Sequence, residues 1–455
     1  MILWYESHML VEWFEVKNNI YACLELGCAE IRIIVCNIRE ERLYVLSKHS
    51  IRAEGIENGN VINVNQVVQQ LKTLKKNVEA DLKQEVQQVL VAIPTVDASI
   101  ENVVATIDLE LNQAINSANI KQIFRNVINQ SASQDQVVVS IVPRSFKVDR
   151  KNAVQNPKGI IGRRLSLDAQ KTMAPAMLVY NLINVVELAG FRVADIILGS
   201  VVEALYIPNS QVIRKGICHV NIGKSMTTIT VLHSGKADST NALSIGGQNV
   251  TQDISDAFEV TEEVAEMLKL NFGRINFDEP SNEIIYVNEV EGKFICITRQ
   301  MLEEVVMMRY ERIFKVIKQY LNQNAYKSAD IQYVLTGGAS EMTGGLDLAK
   351  EILGPEVMVF RPSMLGVRHA KYSKLVAMAI FAHEMSLLTE QKSNIIDLSQ
   401  YEAIQENSRK EMIKDSNKKL TDKVKTQEKS FMDHKLENSG VLVRLFDMIF
   451  DEKAK

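Results

Sequence analysis

Three glycine turns end apolar, strand-like runs in this 455-residue chain. Gly27 lies within IYACLELGCAEIRIIVC (20–36), Gly223 within ICHVNIGKSMTTITVL (217–232), and Gly337-Gly338 follow IQYVLT. Glycine has no Cβ, so backbone amides at such turns can come close to phosphate oxygens. The first two runs share one layout: apolar, acid or amide, apolar, glycine, a short turn, then a second strand. A repeated hairpin of this kind predicts two lobes, each opened by a related unit. With the third turn, the pattern points to a nucleotide clamped between the lobes, one hairpin from each touching its phosphates. Cys28 and Ala29 continue the first turn, and Lys224 and Ser225 the second.

A second chemical signal lies near the C-terminus. On a helix, Val441, Leu442, Leu445, Phe446, Ile449 and Phe450 form one apolar stripe, with Arg444, Asp447 and Asp451 opposite. Such a stripe behind a charged tether fits a helix lying in a membrane interface. Without a basic face, binding rests on apolar burial, and one short helix binds weakly unless copies act together. A helix docked on its own core, or in a coiled coil, is the competing reading.

The elements that must position these residues alternate. Val67, Val68, Leu71, Leu74 and Val78 share one face of a predicted helix over 65–82, and Val86 to Ile93 reads as a buried strand. This alternation predicts an α/β fold. Residues 97–172 break the rhythm as a small α+β insertion, and helix–strand order resumes over 174–207. The segment from Thr251 to about Lys327 is mainly helical, with a strand pair near Ile284 to Ile297.

Composition excludes several classes. The formal charge of −4 gives no nucleic-acid footprint, and no apolar window is long enough to span a bilayer. Cys23, Cys28, Cys36, Cys218 and Cys296 lack metal-ligand spacing and fit buried thiols in a reducing cytoplasm. Met1 to Phe14 reads as an appended segment without assigned function.

Longer motifs carry a family resemblance. LELG (24–27), NPKGIIGRRL (156–165), LSIGGQNVTQDISDAF (243–258), AEMLK (265–269), ITRQMLEEVVMMRYERI (297–313) and VLTGGASEMTGG (334–345) together resemble the FtsA family of bacterial cell-division proteins. That family belongs to the actin/Hsp70/sugar-kinase ATPase superfamily. The resemblance implies an actin-like two-lobed fold of duplicated ribonuclease-H-like domains with an FtsA-type inserted subdomain. Subdomain 1A would comprise 15–96 and 173–213, 1C 97–172, 2A 214–253 and 331–388, and 2B 254–330. A charged linker (389–438) and the amphipathic helix (439–455) would follow, with 1–14 as an extension.

The implied role is to tether polymers of the tubulin-like FtsZ to the inner face of the cytoplasmic membrane at the division site. Self-assembly into actin-like filaments and the terminal helix would serve that end, with later division proteins as further partners. ATP with Mg2+ is the implied ligand. Glu266 and Lys269, at i and i+3 on one helix, would hold the ribose or adenine edge, and Gly337 and Gly338 would pass under the adenosine. Taken alone, that pair is more often a surface salt bridge. Arg299 and Arg309 are candidates for the acidic FtsZ tail, since guanidinium pairs well with carboxylates, although both could equally face solvent.

The departures from the family pattern concern the phosphate site. Its second motif carries an Asp where this chain has Asn221, and two further glycines where it has Lys224 and Ser225. Met226 replaces a threonine, Cys28 stands where Ser or Thr is usual, and Glu30 where Lys is common. Glu25 and Asn221 would be the remnants of a metal shell. Two outcomes remain open: Lys224 substitutes for lost metal charge in a slow or inactive ATPase, or little nucleotide binds. An efficient ATPase or phosphotransferase of the Hsp70 or sugar-kinase type is the alternative function. It would need the missing acid and glycines.

Overall fold

A computed structural model describes residues 19–83, 85–110, 113–130, 135–206, 216–275, 281–290, 293–324 and 331–390. The appended N-terminal segment, nearly all of the charged linker and the whole terminal stripe (Val441, Leu442, Leu445, Phe446, Ile449, Phe450) lie outside the described residues.

The chain opens with β1 (Ile20–Leu26), β2 (Glu30–Arg39) and β3 (Arg42–Arg52), then the short pair β4 (Ile56–Glu57) and β5 (Asn60–Val61). Helix α1 (Val64–Leu82) follows, capped by the Asn63 side chain, which accepts the Gln66 amide at 3.2 Å. Its buried residues are the five expected from periodicity, Val67, Val68, Leu71, Leu74 and Val78. Next come β6 (Gln88–Ile93), the insertion, α3 (Ala176–Leu188), β10 (Arg192–Leu198) and α4 (Gly199–Tyr206). The insertion consists of β7 (Ser99–Asp108), α2 (Ser117–Asn129), β8 (Gln136–Val148) and β9 (Arg164–Pro175).

The second half repeats the first. It runs β11 (Ile217–Ile222), β12 (Thr227–His233), β13 (Lys236–Leu243), α5 (Gly247–Phe258), α6 (Glu262–Phe272), β14 (Ile284–Val290), β15 (Lys293–Thr298) and α7 (Arg299–Gln323). It ends with β16 (Gln332–Thr336), α8 (Gly345–Leu353), β17 (Val357–Val359) and α9 (Ser373–Thr389).

Two five-stranded sheets have the orders β10-β6-β1-β2-β3 and β13-β12-β11-β16-β17. Read from opposite ends, they are one topology. Each opens with an antiparallel meander, and its first strand pairs in parallel with a strand reached by a crossover. The repeat expected from two hairpins therefore extends through whole sheets. β1 and β2 are buried along almost their full length, as strands covered on both faces must be. Helix α9 is buried nearly all round, which explains its lack of an apolar stripe.

The insertion is its own three-stranded sheet, in the order β7-β9-β8, with α2 against it. Ile120, Ile123, Phe124 and Val127 form the buried face of α2, and Phe124 meets Phe146 edge-on at 6.5 Å. One element begins earlier than its pattern suggested. α5 starts at Gly247, because the Asn249 side chain accepts the Gly246 amide at 2.8 Å and closes the first turn. The expected boundary between 253 and 254 thus falls inside a helix.

Candidate nucleotide cleft

The two hairpin turns close in the same way. Gly27 N–H donates to Glu30 O at 3.2 Å, and Gly223 N–H to Met226 O at 2.9 Å. A Cβ on either glycine would stand 2.9 Å from that same carbonyl, so the turn itself excludes a side chain before any ligand does. Gly337 has φ +86°, and a Cβ there would reach 2.5 Å from Ile222 O and 2.7 Å from Asn221 Oδ1. Its bareness lets the third turn lie on the second. A Cβ on Gly338 would meet open space.

These turns line one cleft of about 850 Å³. The first lobe contributes Glu25, Gly27, Cys28 and Ala29; the second contributes Asn221, Gly223, Lys224, Ser225, Gly337 and Gly338. α6 adds Glu266 and Lys269. The structure therefore brings every sequence-predicted nucleotide and metal residue to one surface.

Charge within the cleft is largely self-compensated. Register sets Glu25 opposite Arg32 across the β1–β2 hairpin, and Arg32 Nη2 donates to Glu25 Oε2 at 2.8 Å. Lys374 Nζ, from α9, donates to Glu25 Oε1 at 2.7 Å. Burial alone would raise the Glu25 carboxyl, but the two cations hold it below the ordinary value. Glu30, which would otherwise repel phosphate, accepts Lys371 Nζ at 2.8 and 3.0 Å. Lys269 Nζ donates to Glu266 at 2.6 Å, Thr251 Oγ1 at 2.8 Å and Gly247 O at 3.0 Å, and Thr251 also donates to Glu266. Burial lowers the Lys269 ammonium against the pull of Glu266. The pair is thus a partly buried internal clasp between α5 and α6, on the wall of the cleft.

Asn221 has a specific partner. Its Nδ2 donates to both oxygens of Glu203, at 2.9 and 3.2 Å, and Ser373 donates to the same carboxylate. Glu203 is wholly buried on α4. Behind it, His219 Nε2 meets Thr336 Oγ1 at 3.0 Å, and burial lowers the imidazole.

The residues present do not fit Mg2+. Mg2+ is usually held by one or two carboxylates beside phosphate and water oxygens, yet both Glu25 oxygens are held by cations and Asn221, whose Nδ2 donates to Glu203, offers a neutral Oδ1 in place of a carboxylate. Among the described residues, no group of three His, Cys, Asp or Glu side chains is placed to hold a metal. Two cleft-lining groups nevertheless lack partners among the described residues: Ser225 Oγ and Arg32 Nε are buried without a hydrogen bond.

Sequence reasoning missed Arg32, Lys374, Lys371, Glu203 and Thr251. Arg32 was within reach, since a turn over 27–29 sets it opposite Glu25. The others arrive from distant elements.

The two arginines expected on a partner surface are already paired. Arg299 donates to Glu283 (Nε at 2.8 Å) and lies 5.9 Å from the Phe272 ring centre. Arg309 holds Asp253 through a two-pronged bond that ties α7 to α5. At either site an acidic tail would compete with a carboxylate already held, or take the donors it leaves over.

The model of the cell division protein FtsA matches residues 218–377, and that of the SHS2 domain inserted in FtsA matches 97–171. The Bacillus subtilis (strain 168) cell division protein FtsA is 25% identical over 370 residues, covering 80% of this chain and 84% of its own length. The chain is an FtsA-like protein.

The Enterococcus hirae FtsA is likewise 25% identical, over 81% of this chain and 84% of its own length. Among solved structures, the PilM–PilN type IV pilus biogenesis complex matches with TM-score 0.53 at 12% identity, covering 80% of this chain and 98% of that one. MreB5 of Spiroplasma citri bound to ADP matches with TM-score 0.50 at 11% identity, covering 82% and 98%. The FtsA-like chain thus has the actin-like two-lobed fold, with the FtsA-type insertion in its first half, and its relatives act in cell division.

Proposed function

We propose that this chain is a cell-division adaptor. In this reading it tethers FtsZ polymers to the inner face of the cytoplasmic membrane through actin-like self-assembly and the C-terminal amphipathic helix. Nucleotide binds in the cleft and is hydrolysed weakly or not at all. The observation that carries the reading is the cleft's make-up. The phosphate turns are assembled, but Glu25 is neutralised by Arg32 and Lys374, and Asn221 stands where an acid would orient an attacking water. Efficient phosphotransfer on the same fold would need a free carboxylate there. The adaptor reading also accounts for the insertion, the linker and the terminal stripe together.

The membrane arm is tested by sedimentation with liposomes and FtsZ. Replacing Phe446 and Phe450 with Glu places two charges on the apolar stripe and removes two large apolar side chains, each worth about 1.5–3 kcal/mol if transferred from water into lipid. Co-sedimentation with liposomes is expected to vanish while FtsZ binding persists. Undiminished liposome binding would refute the membrane role of the stripe.

The partner surface is tested by charge reversal. Arg309→Glu sets a carboxylate against Asp253 and is expected to weaken binding of an FtsZ tail peptide at least about tenfold, a 1.4 kcal/mol effect. An unchanged affinity removes Arg309 from the site, and the same measurement on Arg299→Glu judges that residue.

A further inference from the structure

The cleft's unpaired groups suit an anion, and the carboxylates beside its first hairpin turn, Glu25 and Glu30, are already held by cations. Ser225 Oγ and Arg32 Nε are buried polar groups without partners among the described residues. An unsatisfied buried donor costs about 1–3 kcal/mol, and a phosphate oxygen is an acceptor that satisfies it. Lys224, between Gly223 and Ser225, has no ion-pair partner among the described residues. Near the hairpin turns, Arg32, Lys224, Lys371 and Lys374 share the cleft with Glu25 and Glu30, while Glu266 acts on Lys224 and the buried Glu203 on Lys374. Lys224 is the cation there without an ion pair of its own among the described residues.

A dication bridging protein and phosphate would need free oxygens at this point. Glu25 is held by two cations, Glu30 by Lys371, and Glu203 by Asn221 and Ser373, which leaves only the neutral oxygens of Asn221 and Ser225 where a carboxylate would be wanted. A metal arriving with the nucleotide would meet Lys224 and Lys374 as like charges. A metal-free polyphosphate carries more negative charge than its metal complex and gains more from the same cations.

We propose that the cleft binds nucleoside di- and triphosphates as metal-free polyanions. Lys224, Ser225 and the Arg32–Lys374 pair take the place that a divalent ion holds in a carboxylate-bearing site. This rests on the reading that nucleotide occupies the cleft. The substitutions that look like decay of the phosphate site are, on this account, a change in its counter-charge.

The test is calorimetric titration of the full chain with ATP and with ADP, once in excess Mg2+ and once in EDTA. Affinity in EDTA is expected to equal or exceed that in Mg2+. Lys224→Ala is expected to weaken binding about tenfold in both media, with its thermal unfolding midpoint unchanged, because the side chain is only half-buried and unpaired. Binding that requires Mg2+, or a Lys224→Ala variant of undiminished affinity, overturns the metal-free assignment and leaves nucleotide in the cleft. No binding in either medium overturns the nucleotide reading itself, and this inference with it.

Discussion

Lys374→Met is expected to lower the unfolding free energy by about 2–3 kcal/mol at neutral pH, at or just below the range for breaking a buried ion pair. Lys374 reaches Glu25 from α9, and the side chains are 19% and 10% exposed. Removing the ammonium leaves Glu25 with Arg32 alone and takes a positive charge away from the neighbourhood of Glu203. The remaining guanidinium keeps the loss at the low end.

The effect has a defined pH dependence. The Glu25 carboxyl lies below its ordinary value of 4.5 in the folded chain, so its stabilisation is present above that value and lost as pH falls through the lowered one. Burial would lower the Lys374 ammonium, but Glu25 and Glu203 raise it above 10.5. Its contribution is therefore present below 10.5 and lost as pH rises through the raised value. The gap between variant and native chain should narrow at both extremes. Urea unfolding at pH 3, 7 and 11.5 checks this; a gap independent of pH would mean that lost packing, not lost charge, causes the destabilisation.

Asn221→Asp is the second large effect. The substitution is nearly isosteric, but it replaces an amide that donates to both Glu203 oxygens with a carboxylate about the same 3 Å away. Two carboxylates so close in a buried site cannot both ionise without a large penalty. The introduced carboxyl is expected to keep its proton to higher pH than in the unfolded chain. A raised folded-state value means stability that is retained in acid and lost as pH rises. The deficit should be about 2–4 kcal/mol at pH 8 and clearly smaller at pH 5, read from denaturant midpoints at the two values. A variant as stable as the native chain at pH 8 would show that Asn221 is not required as a donor to Glu203.

Much of the scaffold was legible beforehand because it depends on local rules. Apolar spacing placed the buried face of α1 residue by residue, and glycine placement marked both hairpin turns. The likeness of two short hairpins announced a duplication that the sheet orders extend to whole domains. The cross-strand pair of Glu25 and Arg32 was available from the turn position, since antiparallel register follows once a turn is located.

The electrostatic character of the cleft was not available in this way. Glu25 is paired by a lysine far along the chain, Asn221 by a glutamate on α4, Glu30 by Lys371 and Arg309 by Asp253. Substitutions in the phosphate turns read as losses while their partners were unknown, and as compensated changes once those partners were placed. Hydrophobic period and turn chemistry repeat over a few residues and so are written locally. The partner of a buried charge depends on which distant elements the packed core brings within about 3 Å, and no spacing in the chain encodes that.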